Sequence, residues 1–156
     1  MTNSPPAGSL IIALAADHRG FLLKERLTAV LIERAITVRD FGATEFAEAD
    51  DYPDFGIPAA KFVAEDPDQR HGLFICGSGQ GMAIVANKVP GIRAIVVSRL
   101  DQLTMDEAPN VLALAADHLD ATTADTIVAE WLAGLEQPMP ARHQRRIAKI
   151  EALDHH

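Results

Sequence analysis

The sequence predicts an α/β domain built on a five-stranded parallel sheet with helices on both faces. Short, almost wholly apolar runs alternate along the chain with longer segments whose apolar residues recur at helical spacing. A strand that is covered on both faces has no polar side, so such continuous apolar runs are typical of parallel sheets. With 156 residues, 48% of them apolar, the chain is long enough for one domain with a sizeable core.

The first strand is predicted at residues 10–14 (LIIAL), and the polar stretch 17–20 (DHRG) follows it. Helical spacing then predicts a helix whose buried face is made of Phe21, Leu22, Leu27, Val30 and Leu31. Lys24 and its two charged neighbours should face solvent on this helix. A second strand is expected at residues 36–41 (ITVRDF), because polar and apolar residues alternate there and Gly42 ends the run.

An acidic, irregular segment, residues 43–54, comes before an expected helix over residues 55–64. The third strand is predicted at residues 72–76 (GLFIC). It runs directly into the glycine-rich segment 77–81 (GSGQG), and a helix over residues 82–87 should follow.

The second half of the chain continues the alternation. Strands are predicted at residues 92–97 (IRAIVV) and 111–115 (VLALA), with a short helix over residues 99–108 between them. A helix over residues 122–135 should follow, capped by Thr122 or Thr123.

The chain is predicted to form a single domain over residues 10–153, preceded by a flexible tail, residues 1–9. Two prolines, at 138 and 140, come before a last and strongly basic helix at residues 142–153. This break predicts that the last helix reaches away from the body and packs on a second subunit.

Composition and charge exclude several classes of protein. The 14 Lys and Arg residues are outnumbered by 22 Asp and Glu, and a net charge of −8 argues against binding to a nucleic-acid backbone. The apolar runs are too short for a membrane helix, and the polar N-terminus lacks the apolar core of a signal peptide. A single cysteine excludes an internal disulfide, so we expect a cytoplasmic protein with neither a nucleic-acid nor a membrane partner.

The segment 76–82 (CGSGQGM) carries the strongest chemical signal. Three glycines in five residues let backbone amides turn toward one point, and the following helix adds the positive end of its dipole, which together favour an anion. The segment lacks the Gly-Lys-Ser/Thr ending of a Walker loop and the spacing of a dinucleotide-binding loop. Cys76 is therefore either an activated thiol beside this dipole or a small buried hydrophobic residue, and the sequence leaves both interpretations open.

Other polar groups should share the same edge of the sheet, because ligands of open parallel sheets bind outside the carboxyl ends of the strands. Asp17 and His18 follow the first strand, and Ser98 and Arg99 follow the fourth. Asp17 and His18 are either an acid/base or ligand pair or ordinary structural residues. The histidines show no metal-ligand spacing, so no metal is expected.

The last helix carries a row of basic residues on one face, namely Arg142, Arg145, Arg146 and Lys149. This row is either a phosphate clamp or a solvated face. Tyr52, in the segment 51–54 (DYPD), either covers the rim of the site or packs in the core.

These motifs resemble the ribose/galactose isomerase family. The resemblance rests on residues 76–94 (CGSGQGMAIVANKVPGIRA) above all, and on residues 17–20, 40–42, 51–54, 110–114 and 142–150, in order along the chain. It implies a three-layer, Rossmann-like α/β fold. It also implies isomerisation of a phosphorylated sugar of the ribose 5-phosphate type without metal or cofactor, by a homodimer or a tetramer with shared active sites.

The resemblance also implies a role for each matching residue. Cys76 would be the base, Ser78 would hydrogen-bond the reacting oxygens, and the amides of Gly77, Gly79 and Gly81 would hold the enediolate. Asp17 would bind sugar hydroxyls. Phosphate would be bound by His18 and, from the partner subunit, by Arg142 and Arg146.

The sequence departs from the family after the fourth strand. The family's ring-opening His is replaced by Ser98-Arg99, and its His-Asn-Asp-Ala-Asn reads as residues 106–110 (DEAPN). Arg99 would bring a positive charge to the rim and take an oxyanion or phosphate. Three hypotheses remain: a pentose-phosphate isomerase, an isomerase of another sugar phosphate such as a tetrose 4-phosphate or a hexose 6-phosphate, and a non-catalytic sugar-phosphate binding subunit.

Overall fold

A computed structural model describes residues 8–155, and the N-terminal tail expected at residues 1–9 lies almost entirely outside this range. Five strands form one sheet in the order β2-β1-β3-β5-β4, and every neighbouring pair is parallel. The strands are β1 (Ile11–Ala16), β2 (Thr37–Asp40), β3 (Arg70–Cys76), β4 (Ala94–Val97) and β5 (Val111–Ala115). The predicted fold class, an α/β fold with a five-stranded parallel sheet, is confirmed.

In the described part of the chain, five α-helices accompany the sheet: α1 (Phe21–Glu33), α2 (Tyr52–Ala64), α3 (Gln80–Asn87), α4 (Ala121–Leu135) and α5 (Ala141–Glu151). On one face of the sheet, α1 and α4 pack over alternate strand residues such as Leu14, Ile75 and Leu112. On the other face, α2 and α3 cover the intervening residues, including Phe74, Cys76 and Ala113. The side chain of Cys76 therefore belongs to the layer between the sheet and α2 and α3.

Several sequence-based boundaries are wrong. Residues 99–108 do not form a helix beyond one short 3₁₀ turn, Leu100–Gln102. The cap of α4 is Asp120, whose carboxylate accepts a hydrogen bond from the Thr123 N–H at 2.7 Å, and not Thr122 or Thr123. Helix α2 begins at Tyr52 rather than at residue 55, because Pro53 suits the first turn, where its missing N–H costs nothing.

The orientation predicted for α1 is wrong at two positions. Lys24 is fully buried and Leu22 is 78% exposed, the reverse of the expectation. Lys24 lies on the same helix face as Leu27 and Leu31, and its Nζ donates hydrogen bonds to Asp40 Oδ2 at 2.5 Å and to the Ala43 carbonyl at 3.1 Å.

The last helix packs on its own subunit and does not reach away from the body, whereas its packing on a second subunit stays a prediction. His143 and Ile147 are buried on its inner face, and Glu151 forms an ion pair with Arg93 at 2.9 Å. Arg142 and Arg146 remain exposed on α5. Within residues 8–155, no helix is both long enough and apolar enough to cross a membrane.

Candidate active site

The predicted rim at the carboxyl ends of the strands contains two adjoining depressions. The first, of about 280 Å³, is lined by Asp17, Arg19, Tyr52, Cys76, Gly77, Ser78, Gly81 and Asp117. The second, of about 390 Å³, is lined by Ser78, Gln80, Val96, Ser98, Gln102, Ala115 and His118. Ser78 lines both, so the glycine-rich segment lies between them.

Cys76 is the last residue of β3 and lines the first depression. The residue is only 4% exposed, and its side chain packs within the apolar layer beneath α2 and α3. The two interpretations of this residue are thus compatible in space: the thiol is largely buried and still forms part of the wall of an accessible depression.

The glycine-rich segment turns the chain from β3 into α3. Gly79, the residue before α3, has a φ of +75°, in the left-handed region that glycine adopts without strain. The ring of Tyr52 packs directly on Gly81: a Cβ at Gly81 would lie only 2.5 Å from the ring carbon Cζ, so only glycine leaves room for the ring. Tyr52 therefore covers the glycine-rich segment, as one of the two interpretations of this residue proposed.

Asp17 is almost fully buried in the turn after β1. Its Oδ1 accepts hydrogen bonds from the N–H groups of Arg19 and Gly20 at 3.0 and 3.1 Å. Burial raises the pKa of this carboxyl above its ordinary value, although the two backbone hydrogen bonds act in the opposite direction. A carboxylate in this position is able to accept a hydrogen bond from a sugar hydroxyl.

His18 is oriented by Asp50, a residue that the sequence analysis did not single out. Asp50 Oδ1 accepts hydrogen bonds from the backbone N–H of His18 at 2.9 Å and from its ring nitrogen Nδ1 at 2.7 Å. This arrangement leaves Nε2 as the ring atom that is available to a ligand. Asp17, His18 and Asp50 place three possible ligand atoms within 4.8 Å of one another, a spacing that a metal ion would accept. The expectation of no metal stays a prediction.

Ser98 and Arg99 differ in their positions. Ser98 lines the second depression, and its Oγ hydrogen-bonds to Gln102 Oε1 at 3.0 Å. Arg99 is not among the residues that line either depression. Its guanidinium is exposed and pairs with Asp101 at 3.0 Å, an interaction that lowers the pKa of Asp101.

Arg142 and Arg146 do not reach this rim in the same protomer. Arg142 lines a separate cleft of about 360 Å³ together with His71 and His143. His71 lies near the start of β3 and Cys76 at its end, so about 16 Å of strand separates the two ends. If these arginines contact the same ligand as Cys76, they must therefore come from another subunit.

Comparison with known proteins assigns the family. A model of the ribose/galactose isomerase family matches residues 12–150, nearly the whole chain. The chain belongs to the ribose/galactose isomerase family. Ribose-5-phosphate isomerase B of Escherichia coli K12 is 38% identical over 146 residues, which cover 92% of this chain and 95% of that enzyme. D-erythrulose-4-phosphate isomerase 2 of Mycolicibacterium smegmatis is 35% identical over 133 residues, covering 82% and 86% of the two chains.

A solved structure of this isomerase family has the same fold. Ribose-5-phosphate isomerase B of Mycoplasma genitalium, crystallised with bound ribulose 5-phosphate, matches with a TM-score of 0.86 and 32% identity. The match covers 94% of this chain and 97% of that one. The overall resemblance inferred from the sequence motifs is thereby confirmed.

Asp50, which orients His18, and Asp117, which lines the first depression, are among the polar residues that sequence reasoning missed. Asp50 lies in the acidic, irregular segment 43–54, where nothing in the local pattern distinguishes one carboxylate from the others. Asp117 follows β5 by two residues, and the rule that placed Asp17 at a strand end was sufficient to find it.

Proposed function

We propose that this protein is a cofactor-independent aldose–ketose isomerase that moves a proton between adjacent carbons of an open-chain sugar phosphate, with Cys76 as the base. The observation that supports this most directly is the position of the one cysteine of the chain. It lines the first depression beside a glycine-rich segment and the N-terminus of α3. The family assignment supports the same class of reaction.

In this proposal, the thiolate of Cys76 takes a proton from the carbon next to the carbonyl. The electron pair left on that carbon moves toward the carbonyl oxygen and gives an enediolate. The hydroxyl proton then passes from one reacting oxygen to the other, and the thiol returns its proton to the neighbouring carbon, which gives the isomeric carbonyl compound and restores the thiolate. A positioned base of this kind contributes about 10² to 10⁴ in rate.

The enediolate needs stabilisation where its charge develops. Backbone amides of Gly77, Gly79 and Gly81 and the hydroxyl of Ser78 would donate hydrogen bonds to the two reacting oxygens. Each such preorganised donor supplies about 3 kcal/mol in the transition state. The dipole at the N-terminus of α3 acts in the same direction.

The rest of the substrate is held away from the reacting carbons. Asp17 would bind sugar hydroxyls, and His18, oriented by Asp50, would bind the phosphate. Arg142 and Arg146 of a partner subunit would complete the phosphate site, because they lie at the opposite edge of the sheet in their own protomer. Binding energy from the phosphate then serves to orient the open chain over Cys76.

A homodimer, alone or paired into a tetramer, is part of this proposal. Ile84 is 61% exposed on α3 and lines an open, mainly apolar depression together with Ala83 and Val96. Val96 belongs to β4, an edge strand of the sheet. An apolar surface next to the second depression suits a second copy of this chain that closes the site.

The substrate is proposed to be a pentose 5-phosphate, with a tetrose 4-phosphate as the second candidate. Relatives of both kinds match the chain. Ser98 favours the second candidate, because a serine hydroxyl is a poor acid or base near neutral pH and does not assist the opening of a sugar ring. A tetrose 4-phosphate has its C4 oxygen blocked, so it forms no five-membered ring and needs no such help.

A panel of aldose and ketose phosphates with four to six carbons, incubated with the protein in deuterated water, tests the proposal. The expected result, detected by NMR, is the incorporation of deuterium at C1 or C2 of a four- or five-carbon substrate. Exchange only in hexose 6-phosphates would contradict the proposed substrates and indicate a hexose-phosphate isomerase. Binding of a sugar phosphate without exchange in any compound would favour the non-catalytic binder instead.

A further inference from the structure

Arg19 and Asp117 form an ion pair across the mouth of the first depression. Arg19 lies in the turn after β1 and Asp117 in the turn after β5, and β3 lies between these two strands. The guanidinium donates to the carboxylate through two nitrogens: Nε to Oδ1 at 3.2 Å, and Nη2 to Oδ2. The pair therefore spans the end of β3, where Cys76 lies.

The ion pair lies directly against the glycine-rich segment. A Cβ at Gly77 would lie 2.8 Å from Arg19 Nε and 2.8 Å from Asp117 Oδ2, and Gly77 is buried beneath the two side chains. The Asp117 N–H also donates to the Gly77 carbonyl at 3.0 Å, which ties the turn after β5 to this segment. Both side chains line the same depression as Cys76.

We propose that the Arg19–Asp117 pair is a wall that sets substrate specificity: it occupies the space over Gly77 and restricts the site to short, open-chain sugar phosphates. This inference rests on the proposed function and, of its two candidate substrates, favours the tetrose 4-phosphate over the pentose 5-phosphate. A furanose ring is thicker than an extended chain and would need the volume that the two side chains fill. The wall and Ser98 favour the same kind of substrate. The wall takes the space that a sugar ring would need, and Ser98 does not supply an acid or base that would open the ring.

The positive charge of Arg19 and the negative charge of Asp117 also compensate each other. A lone carboxylate at this rim would repel a phosphate dianion, whereas a carboxylate paired in two hydrogen bonds with a guanidinium does so far less. The double substitution Arg19→Ser with Asp117→Ser therefore removes the bulk of the wall without leaving a net charge behind. A second ion pair of the same geometry, Arg26 with Asp125, joins α1 to α4 and lines neither depression, which makes Arg26→Ser with Asp125→Ser a matched control.

Two measurements on the two double variants and the wild type test the inference. The first is the ratio of kcat/KM for a pentose 5-phosphate to that for a tetrose 4-phosphate. We expect this ratio to rise at least fivefold in the Arg19/Asp117 variant and to stay unchanged in the control. The second is the rate at which iodoacetamide alkylates Cys76, read by mass spectrometry, which should rise at least threefold in the Arg19/Asp117 variant only.

A ratio and an alkylation rate that stay at the values of the control pair would overturn the inference. Should the double variant fail to fold, Arg19→Ala alone is expected to shift both readouts in the same direction, and Arg19→Lys, which keeps the charge and part of the bulk but not the two-nitrogen contact, to shift them less. Failure of the proposed function is distinguishable, because it would appear as absence of turnover in the wild type. Affinities for 4-phosphoerythronate and 5-phosphoribonate, measured by calorimetry, then test the wall without turnover, and an unchanged preference between them would refute it.

Discussion

Lys24 shows how a single buried residue departs from a sequence pattern. Burial by itself would lower the pKa of its ammonium, but hydrogen bonds to Asp40 and Glu25 outweigh burial, so the pKa is raised. The partner Asp40 is 16 residues away along the chain. No local pattern indicates such a pairing, and helical spacing alone therefore assigned Leu22 to the core and Lys24 to solvent.

His71 predicts a measurable pH dependence of stability. Burial, and then the nearby charge of Arg93, lower the pKa of this imidazole to about 4, and its Nδ1 has no hydrogen-bond partner among the described residues. As the pH falls below about 6.5, His71 becomes protonated in the unfolded chain but stays neutral in the folded protein. The free energy of unfolding should therefore drop by about 2 kcal/mol between pH 7 and pH 5 on account of this residue.

Urea unfolding of the wild type and of His71→Gln at both pH values measures this contribution. All other titrating groups are shared by the two proteins, so the difference between their pH dependences belongs to His71. Parallel pH dependences would show that the imidazole is protonated normally in the folded state.

The contact between α1 and β2 depends on a buried charge. Asp40→Ala removes the main partner of the Lys24 ammonium and leaves that charge inside the protein, which should lower the free energy of unfolding by about 3 kcal/mol. Asp125→Ala is the control, because it removes the partner of Arg26 in an exposed ion pair and should cost less than about 1 kcal/mol. Chemical denaturation of both variants compares the two costs, and equal costs would contradict the role assigned to Lys24.

Strands were easier to predict than helix ends. A buried parallel strand is a continuous apolar run, and β5 was predicted with its observed bounds, Val111–Ala115. Helix ends depend on capping contacts that a pattern does not resolve: Asp120 was overlooked as the cap of α4. The helix predicted over residues 99–108 is wrong for a different reason. The Gln102 side chain accepts hydrogen bonds from the N–H groups of Ser98 and Arg99 and stabilises a tight turn in place of a helix.

The rim of the site followed from the order of the strands. Asp17, Cys76 and Ser98 were expected at one edge of the sheet, and each lines one of the two depressions there. The family resemblance implies that Arg142 binds the phosphate. In its own subunit, however, Arg142 lies at the opposite edge of the sheet from Cys76. Sequence patterns describe a single chain and do not show which residues a second chain would add. The roles of all these residues stay predictions.

Mixing two inactive variants tests whether active sites are shared between subunits. Cys76→Ala keeps the arginines, and Arg142→Ala with Arg146→Ala keeps the cysteine. In a mixed dimer, one of the two sites receives Cys76 from one subunit and both arginines from the other, so it is intact. After random reassociation of equal amounts, we expect about one quarter of the wild-type activity. Activity no higher than the sum of the separate variants would indicate sites built within one subunit.

The central claim is that the thiol of Cys76 moves the proton. The most direct test is the rate of deuterium exchange from solvent into the substrate, followed by NMR, for Cys76→Ala beside the wild type. We expect exchange to fall by about 10² or more, the usual contribution of a general base, while the Kd for 5-phosphoribonate or 4-phosphoerythronate changes only a few-fold. Exchange at the wild-type rate in Cys76→Ala would contradict the mechanism.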